Sequence, residues 1–289
     1  MRIDRIVRAL ADPWHIRQEV FWAVMPIAAA ASSFLRDGRI VVDSAAVKEQ
    51  AERTGSRKLS DQVLMLDAVA VVPLYGVLGI GWDEWELAAG GIDVLEVEET
   101  VRALMESAEV EAIVLDFDSP GGMHQGTVEL AEYLAEAKVE KPIFSFTRTM
   151  MCSAAYYLAA GTDAIYASKS AVVGSIGTYI PMMDMSGLYE KLGLKAEVIA
   201  DGKYKGAGYP GTSLSKEQRA QLQDVVNYAS RAFKNHVLQY RRDVAEETMQ
   251  GQAFWGEQGP ETGLTDSVAT LGQTIGDVRK YAALTAVGE

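Results

Sequence analysis

Three short stretches of this chain carry groups that together could attack a carbonyl. Ser153 stands in Thr149-Met150-Met151-Cys152-Ser153-Ala154-Ala155-Tyr156-Tyr157, between a strand-like apolar run and a helix-like one. Ser119-Pro120-Gly121-Gly122 lies upstream, and Lys205 lies downstream in Asp201-Gly202-Lys203-Tyr204-Lys205-Gly206. Acyl hydrolysis needs a nucleophile, a base to take its proton and donors for the developing oxyanion. Histidine is the usual base, but the only histidines are His15, His124 and His236, and none is placed to build a Ser-His-Asp arrangement easily. The alternative offered by this sequence is a lysine that activates a serine.

Each stretch also has a plainer reading. A serine before a helix is ordinarily an N-cap. As a nucleophile at a strand-to-helix turn, Ser153 would instead have the free N–H groups of the first turn, that of Ala154 among them, facing incoming negative charge. The small Ala154 and Ala155 would let a substrate backbone come close. Ser119-Pro120-Gly121-Gly122 closes a strand at its carboxyl edge, where open α/β sheets bind ligands. Its proline fixes φ, and its glycines allow positive φ and expose consecutive N–H groups. An ordinary strand-to-helix turn would read the same way.

A lysine base must be neutral, whereas an ordinary lysine, with a pKa of about 10.4, is neutral in roughly one copy in 2,500 at pH 7. Burial would have to lower the pKa by about 2–3 units. Lys205 lies among Gly202, Gly206 and Gly208, unusual company for a solvated lysine, although by itself it reads as a surface lysine in a glycine loop, and spacing does not exclude the adjacent Lys203. In Gly174-Ser175-Ile176-Gly177 the hydroxyl could hold the lone pair of a neutral lysine toward the nucleophile, or the glycines could simply bound a turn entering a strand. Cys152 reads as a buried inert thiol. His124 reads as a bystander or a substrate contact. Asp116 and Asp118 lack the accompanying carboxylate–histidine cluster of a metal site, so no metal or cofactor is expected.

The elements that must position these residues alternate. Residues 68–78 and 112–118 are β-branched, apolar runs typical of buried strands. Helical stretches are expected over 92–107 and 127–137, with Pro120-Gly121-Gly122 breaking the second strand. Strand 142–146, helix 153–160 and strand 164–167 follow, and 195–200 reads as one more strand. A long polar helix over 214–244 and a short one over 272–283 complete the chain. Strands alternating with helices imply a mostly parallel sheet. Residues 1–60 read as a helical N-terminal arm, with a helix over 20–35, an alanine–charge pattern over 41–58 and a linker at 53–57. Residues 61–289 then form the main domain.

The 289 residues can bury a large core, and the net charge of −13 argues against a general nucleic-acid or anionic-membrane binder. One cysteine excludes an intrachain disulfide. The apolar stretch 20–35 contains Pro26, is too short to span a bilayer and is preceded by mixed charge. No integral membrane segment is expected, and the cytoplasm is the default location.

Taken in order, residues 115–122, Ser153 to Tyr157, Gly174 to Gly177 and Gly202 to Lys205 resemble the S49 peptidases, the family of signal peptide peptidase A (protease IV) and of phage head-maturation proteases. The likeness extends over about residues 66–270, and Gly251 to Asp266 is similar to the family's closing segment. The resemblance implies an α/β, ClpP/crotonase-like fold of repeated ββα-type units and assembly into a homo-oligomer. It implies a Ser-Lys dyad of Ser153 and Lys205, supported by Ser175, with oxyanion donors from Gly121, Gly122 and Ala154. Lys205 rather than Lys203 takes the position of the family's lysine.

Ser-Ala-Ala after the nucleophile, where the signal-peptide enzymes commonly have Ser-Gly-Gly, points to the phage branch, as does the arm around Phe21-Trp22. A protease acting on capsid or scaffold proteins, associated with the procapsid, is therefore expected. Competing expectations are a signal peptide peptidase, a crotonase-type acyl-CoA enzyme and a non-catalytic capsid component.

Overall fold

The apolar, β-branched runs become the three central strands of one sheet because they are buried on both faces, as a parallel sheet requires. The computed structural model describes residues 14–16, 35–36, 39–40, 59–83, 86–87 and 90–287. Its strands in chain order are β1 (Trp14–Ile16), β2 (Leu35–Arg36), β3 (Arg39–Ile40), β4 (Leu64–Leu66), β5 (Val69–Gly79), β6 (Gly91–Asp93), β7 (Ala112–Met123), β8 (Ile143–Cys152), β9 (Ile165–Ala167), β10 (Val172–Gly174), β11 (Ala253–Trp255) and β12 (Ser267–Val268). The α-helices are α1 (Val94–Glu106), α2 (Thr127–Ala137), α3 (Ala154–Ala160), α4 (Ser186–Lys191), α5 (Lys216–Tyr240), α6 (Gly259–Thr262) and α7 (Leu271–Val287).

The main sheet runs β11-β10-β8-β7-β5-β4, and β5, β7, β8 and β10 are parallel. On one face, α1, α2 and α3 bury Val97, Val101, Leu130, Leu134 and Leu158 against Leu74, Leu115 and Ile143. On the other, α7 brings Ile275, Val278 and Ala282 onto Val69, Val71, Val114, Phe144 and Phe146. Each large side chain fully buried this way contributes about 1.5–3 kcal/mol.

The helix starts are written locally. Asp93 accepts the Leu95 N–H at 3.0 Å before α1. Ser215 and Gln218 form a capping box at α5, with Gln218 N–H to Ser215 Oγ at 3.1 Å and Ser215 N–H to Gln218 Oε1 at 3.0 Å.

Three expectations need correction. Pro120-Gly121-Gly122 does not break its strand: β7 runs on to Met123 because Gly121 and Gly122 pair with Val77 and Leu78 of β5. Residues 195–200 form no strand; they are largely exposed and find no strand edge to pair with. Within the arm expected to be helical, the described residues Trp14–Ile16, Leu35–Arg36 and Arg39–Ile40 are extended and paired. The rest of the helix expected over 20–35, the 41–58 pattern and the 53–57 linker lie outside the described residues.

Candidate active site

Ser153 owes its position to an irregularity in β8. The β7–β8 ladder pairs Phe117 with Thr147 and then Asp118 with Met150, so Arg148 and Thr149 bulge out. Thr147 holds the bulge, its Oγ1 donating to the Phe117 carbonyl at 2.8 Å and accepting the Thr149 N–H at 3.2 Å. The shifted register then pairs Ser119 with Met151. Gly121 and Ser153 each lie two residues beyond that last pair, Gly121 on β7 and Ser153 just after β8.

At that point the chain turns sharply. Ser153 has φ 53° and ψ −122°, a conformation costly for a residue with a Cβ, and its side chain makes no capping bond to α3. The N-cap reading therefore fails. Ser153 is 1% exposed, and every residue of α3 after it is buried.

Ser175 is the second strained serine. Among the described residues, only Asp67, Ser153 and Ser175 have positive φ without being glycine, and Ser175 has φ 53°. It follows the end of β10 and does not enter a strand. The Ser153 N–H donates to the Gly174 carbonyl at 2.8 Å, and the Ser175 N–H donates to the Gln252 carbonyl at 2.8 Å. The Gly251–Asp266 segment thus supports the site through β11, antiparallel to β10, and through Asp266, which accepts the Ile165 N–H at 2.7 Å and Arg241 Nη1 at 2.8 Å.

The glycines of the 119–122 stretch do different work. Gly121, with φ 108°, directs its N–H to Ser119 Oγ at 3.2 Å. That long neutral bond is a weak competitor for an oxyanion, whose charge-assisted bonds are roughly twice as strong. Gly122 is a packing glycine: a Cβ there would sit 1.9 Å from the Leu78 carbonyl oxygen. Ala154 is fully buried at the first position of α3, where backbone N–H groups have no intrahelical partner.

Lys205 is not buried with this group. It lies exposed in a glycine-rich turn, its N–H donating to the Gly202 carbonyl at 3.0 Å. Lys203, also exposed, places Nζ 4.7 Å from the Tyr204 ring centroid. The surrounding segment leaves Met183, Leu192, Leu194 and Ile199 open, Ile199 at 96% exposure. The structure thus ties Ser153 to the residue before Ser175 through the main chain, sets Gly121 and Gly122 just past the last β7–β8 pair, and leaves Lys205 exposed.

Of the bystanders, Cys152 is buried with Sγ 3.6 Å from the Val172 carbonyl. His124 is half-buried, and burial lowers its pKa, with the Glu129 charge opposing. Sequence reading missed the polar group around Asp116. Tyr75 donates to it at 2.5 Å, and burial raises its pKa against the opposing effects of Tyr75 and Arg148. The available signal was the strand period, which puts Asp116 and Asp118 on one face. Also missed was β1, which pairs antiparallel with β7 at Gly121 to Met123.

The sequence profile of Peptidase family S49 matches residues 135–285. A Methanocaldococcus jannaschii protein, provisionally named a protease, is 33% identical over 164 residues, covering 56% of this chain and 53% of its own. The capsid assembly protease C of Escherichia phage lambda is 24% identical over 213 residues, covering 73% of this chain and 48% of its own. The chain spans about half the length of the curated relatives it matches. Among solved structures, the ClpP protease catalytic domain from Plasmodium falciparum matches at 9% identity and a TM-score of 0.43, covering 70% of this chain and 85% of that one.

Proposed function

Because the chain belongs to peptidase family S49, we propose that it is a serine endopeptidase whose nucleophile is Ser153 and whose general base is Lys205. The observation that carries this reading is the strained, buried Ser153 at the turn from β8 into α3, two residues past the last β7–β8 pair, as Gly121 is on β7. Strain of this kind costs about 1–3 kcal/mol and persists where the surroundings enforce it, as they do at functional turns.

In the proposed cycle Lys205 takes the Ser153 proton as Oγ attacks a peptide carbonyl. The Gly121 and Ala154 N–H groups hold the oxyanion, Gly122 keeps that edge against β5, and Ser175 supports the neutral lysine. Lys205 then protonates the leaving amine, and water repeats the sequence on the acyl-enzyme. A lysine base has to leave water. Self-association that covers the apolar 182–199 segment would supply that burial, in keeping with a homo-oligomer whose catalytic unit is residues 61–289. No helix of the described residues is long and apolar enough to cross a membrane.

Capsid or scaffold proteins are the proposed substrates. This is supported by the lambda protease and by the head-tail preconnector protein GP5 of phage P21, which match 73% and 76% of this chain. The relative named as a signal peptide peptidase, at 30% identity over 64% of this chain, supports signal peptides as the second reading. Incubating the pure protein with denatured casein and with its own genomic neighbours' products, then mapping the cuts by mass spectrometry, tests both. Unchanged cleavage by Ser153→Ala would refute the peptidase reading.

A further inference from the structure

Among the described residues before residue 59, strand β1 is the stretch whose pairing reaches β7 at Gly121 and Gly122. It runs antiparallel to β7 with Trp14 opposite Met123, His15 opposite Gly122 and Ile16 opposite Gly121. The other edge of Gly121 and Gly122 is already taken, because they pair with Val77 and Leu78 of β5. Segment 14–16 must therefore lie on the side of β7 that faces β8. There the β7–β8 ladder has ended at Ser119 and Met151, and Ser153 turns into α3, which β1 also touches. Residues 14–16 thus continue the sheet in the gap between the Gly121 edge and the start of α3.

A peptide cut by Ser153 needs the same gap. Its carbonyl must reach Ser153 Oγ and the Gly121 N–H together, and an extended peptide gains main-chain hydrogen bonds by adding a strand to an open sheet edge. From this shared position we propose that residues 14–16 are an internal occupant of the peptide-binding edge, so that a substrate must displace the chain's own segment before it is cut. This rests on the proposed peptidase function for its consequence, but the occupancy stands on the strand pairing alone. An occupant seated nine-tenths of the time reduces apparent affinity for an external peptide about tenfold, without changing the chemistry once the peptide is bound.

The test uses the full chain carrying His15→Pro and Ile16→Pro together. Adjacent residues of a strand point their N–H groups to opposite sides, so one of the two prolines removes a donor to β7 whatever the phase of the ladder. Two measurements in a Ser153→Ala background need no activity. Amide exchange over residues 119–125 is expected to quicken at least tenfold in the proline variant, with the melting temperature unchanged. A fluorescein-labelled synthetic peptide of residues 11–20 is expected to bind the proline variant about tenfold more tightly. Equal exchange, or equal peptide affinity, in the two proteins overturns the proposal. With Ser153 restored, the prolines should lower KM for casein about tenfold and leave kcat alone, and an unchanged KM overturns internal competition. If exchange and peptide binding respond but no version cleaves casein or any other protein, the occupancy stands and the peptidase reading falls.

Discussion

The backbone N–H of Ser153 donates to the carbonyl of Gly174 at 2.8 Å, so the candidate nucleophile is tied through the main chain to the residue before Ser175. The bond joins the ends of β8 and β10 and holds two strained serines in one rigid frame. A side chain held by strain and by main-chain hydrogen bonds keeps its aim without side-chain partners.

That strain is measurable. Ser153→Gly is expected to exceed Ser153→Ala in stability by about 1 kcal/mol, because glycine adopts φ 53° without the Cβ penalty. Both should be inactive. Urea unfolding of the two variants checks the order, and an Ala variant as stable as the Gly variant would remove the strain argument.

Ser175→Ala removes a hydroxyl but neither the turn nor the N–H bond to the Gln252 carbonyl. If that hydroxyl donates to a neutral lysine, kcat should fall about tenfold or more, and the rising limb of the pH–rate profile should move to higher pH. KM should change little. A profile that keeps its position would leave Ser175 a purely structural role.

Two glycines should respond in opposite directions. Gly122→Ala drives a Cβ to 1.9 Å from the Leu78 carbonyl oxygen, where backbone must move, and is expected to cost about 3 kcal/mol or more. Gly276→Ala lies inside α7 with nothing within 4 Å of the new Cβ, and should stabilise by up to about 1 kcal/mol. Thermal melts of the pair give the comparison.

His236 makes stability depend on pH. Its Nε2 lies 2.9 Å from the Tyr157 carbonyl, which only accepts, so Nε2 carries the proton, and the ring stacks on Tyr157 at 4.0 Å between centroids. Burial holds its pKa down to about 4, with the Tyr157 hydrogen bond opposing, against about 6.5 in the unfolded chain. The unfolded state therefore takes up the proton first as pH falls. The His236 contribution is complete above about pH 6.5, and about 3 kcal/mol of it is lost on the way down to pH 4. His236→Phe should flatten that slope in denaturation curves taken at several pH values; an unaltered slope would contradict the assignment.

Most of the sheet was legible because a buried parallel strand needs a nearly continuous apolar run: residues 69–72 and 112–115 have an unbroken one, and 143–146 is interrupted only by Ser145. The helix at 127–137 was legible to the residue. What escaped depends on contacts distant in sequence. Gly121 and Gly122 carry the composition of a turn, and only the continued pairing with Val77 and Leu78 makes them strand. The bulge at Arg148 and Thr149 has no local signature; it exists because Thr147 bonds across to Phe117. Ser153 and Ser175 were visible as serines in small-residue contexts, but their positive φ was not. Lys205 was expected to be buried with them; it is exposed, as are Met183, Leu192, Leu194 and Ile199 in the segment before it.

If Lys205 activates Ser153, the serine's reactivity toward an electrophile depends on that lysine. A biotinylated fluorophosphonate, followed by tryptic mass mapping at pH 7, tests it most directly. An adduct on Ser153 is expected in the wild-type protein, forming about 100-fold or more faster than in Lys205→Ala with the fold retained. Labelling of Ser153 at the same rate in Lys205→Ala, or an adduct confined to another residue, would contradict it.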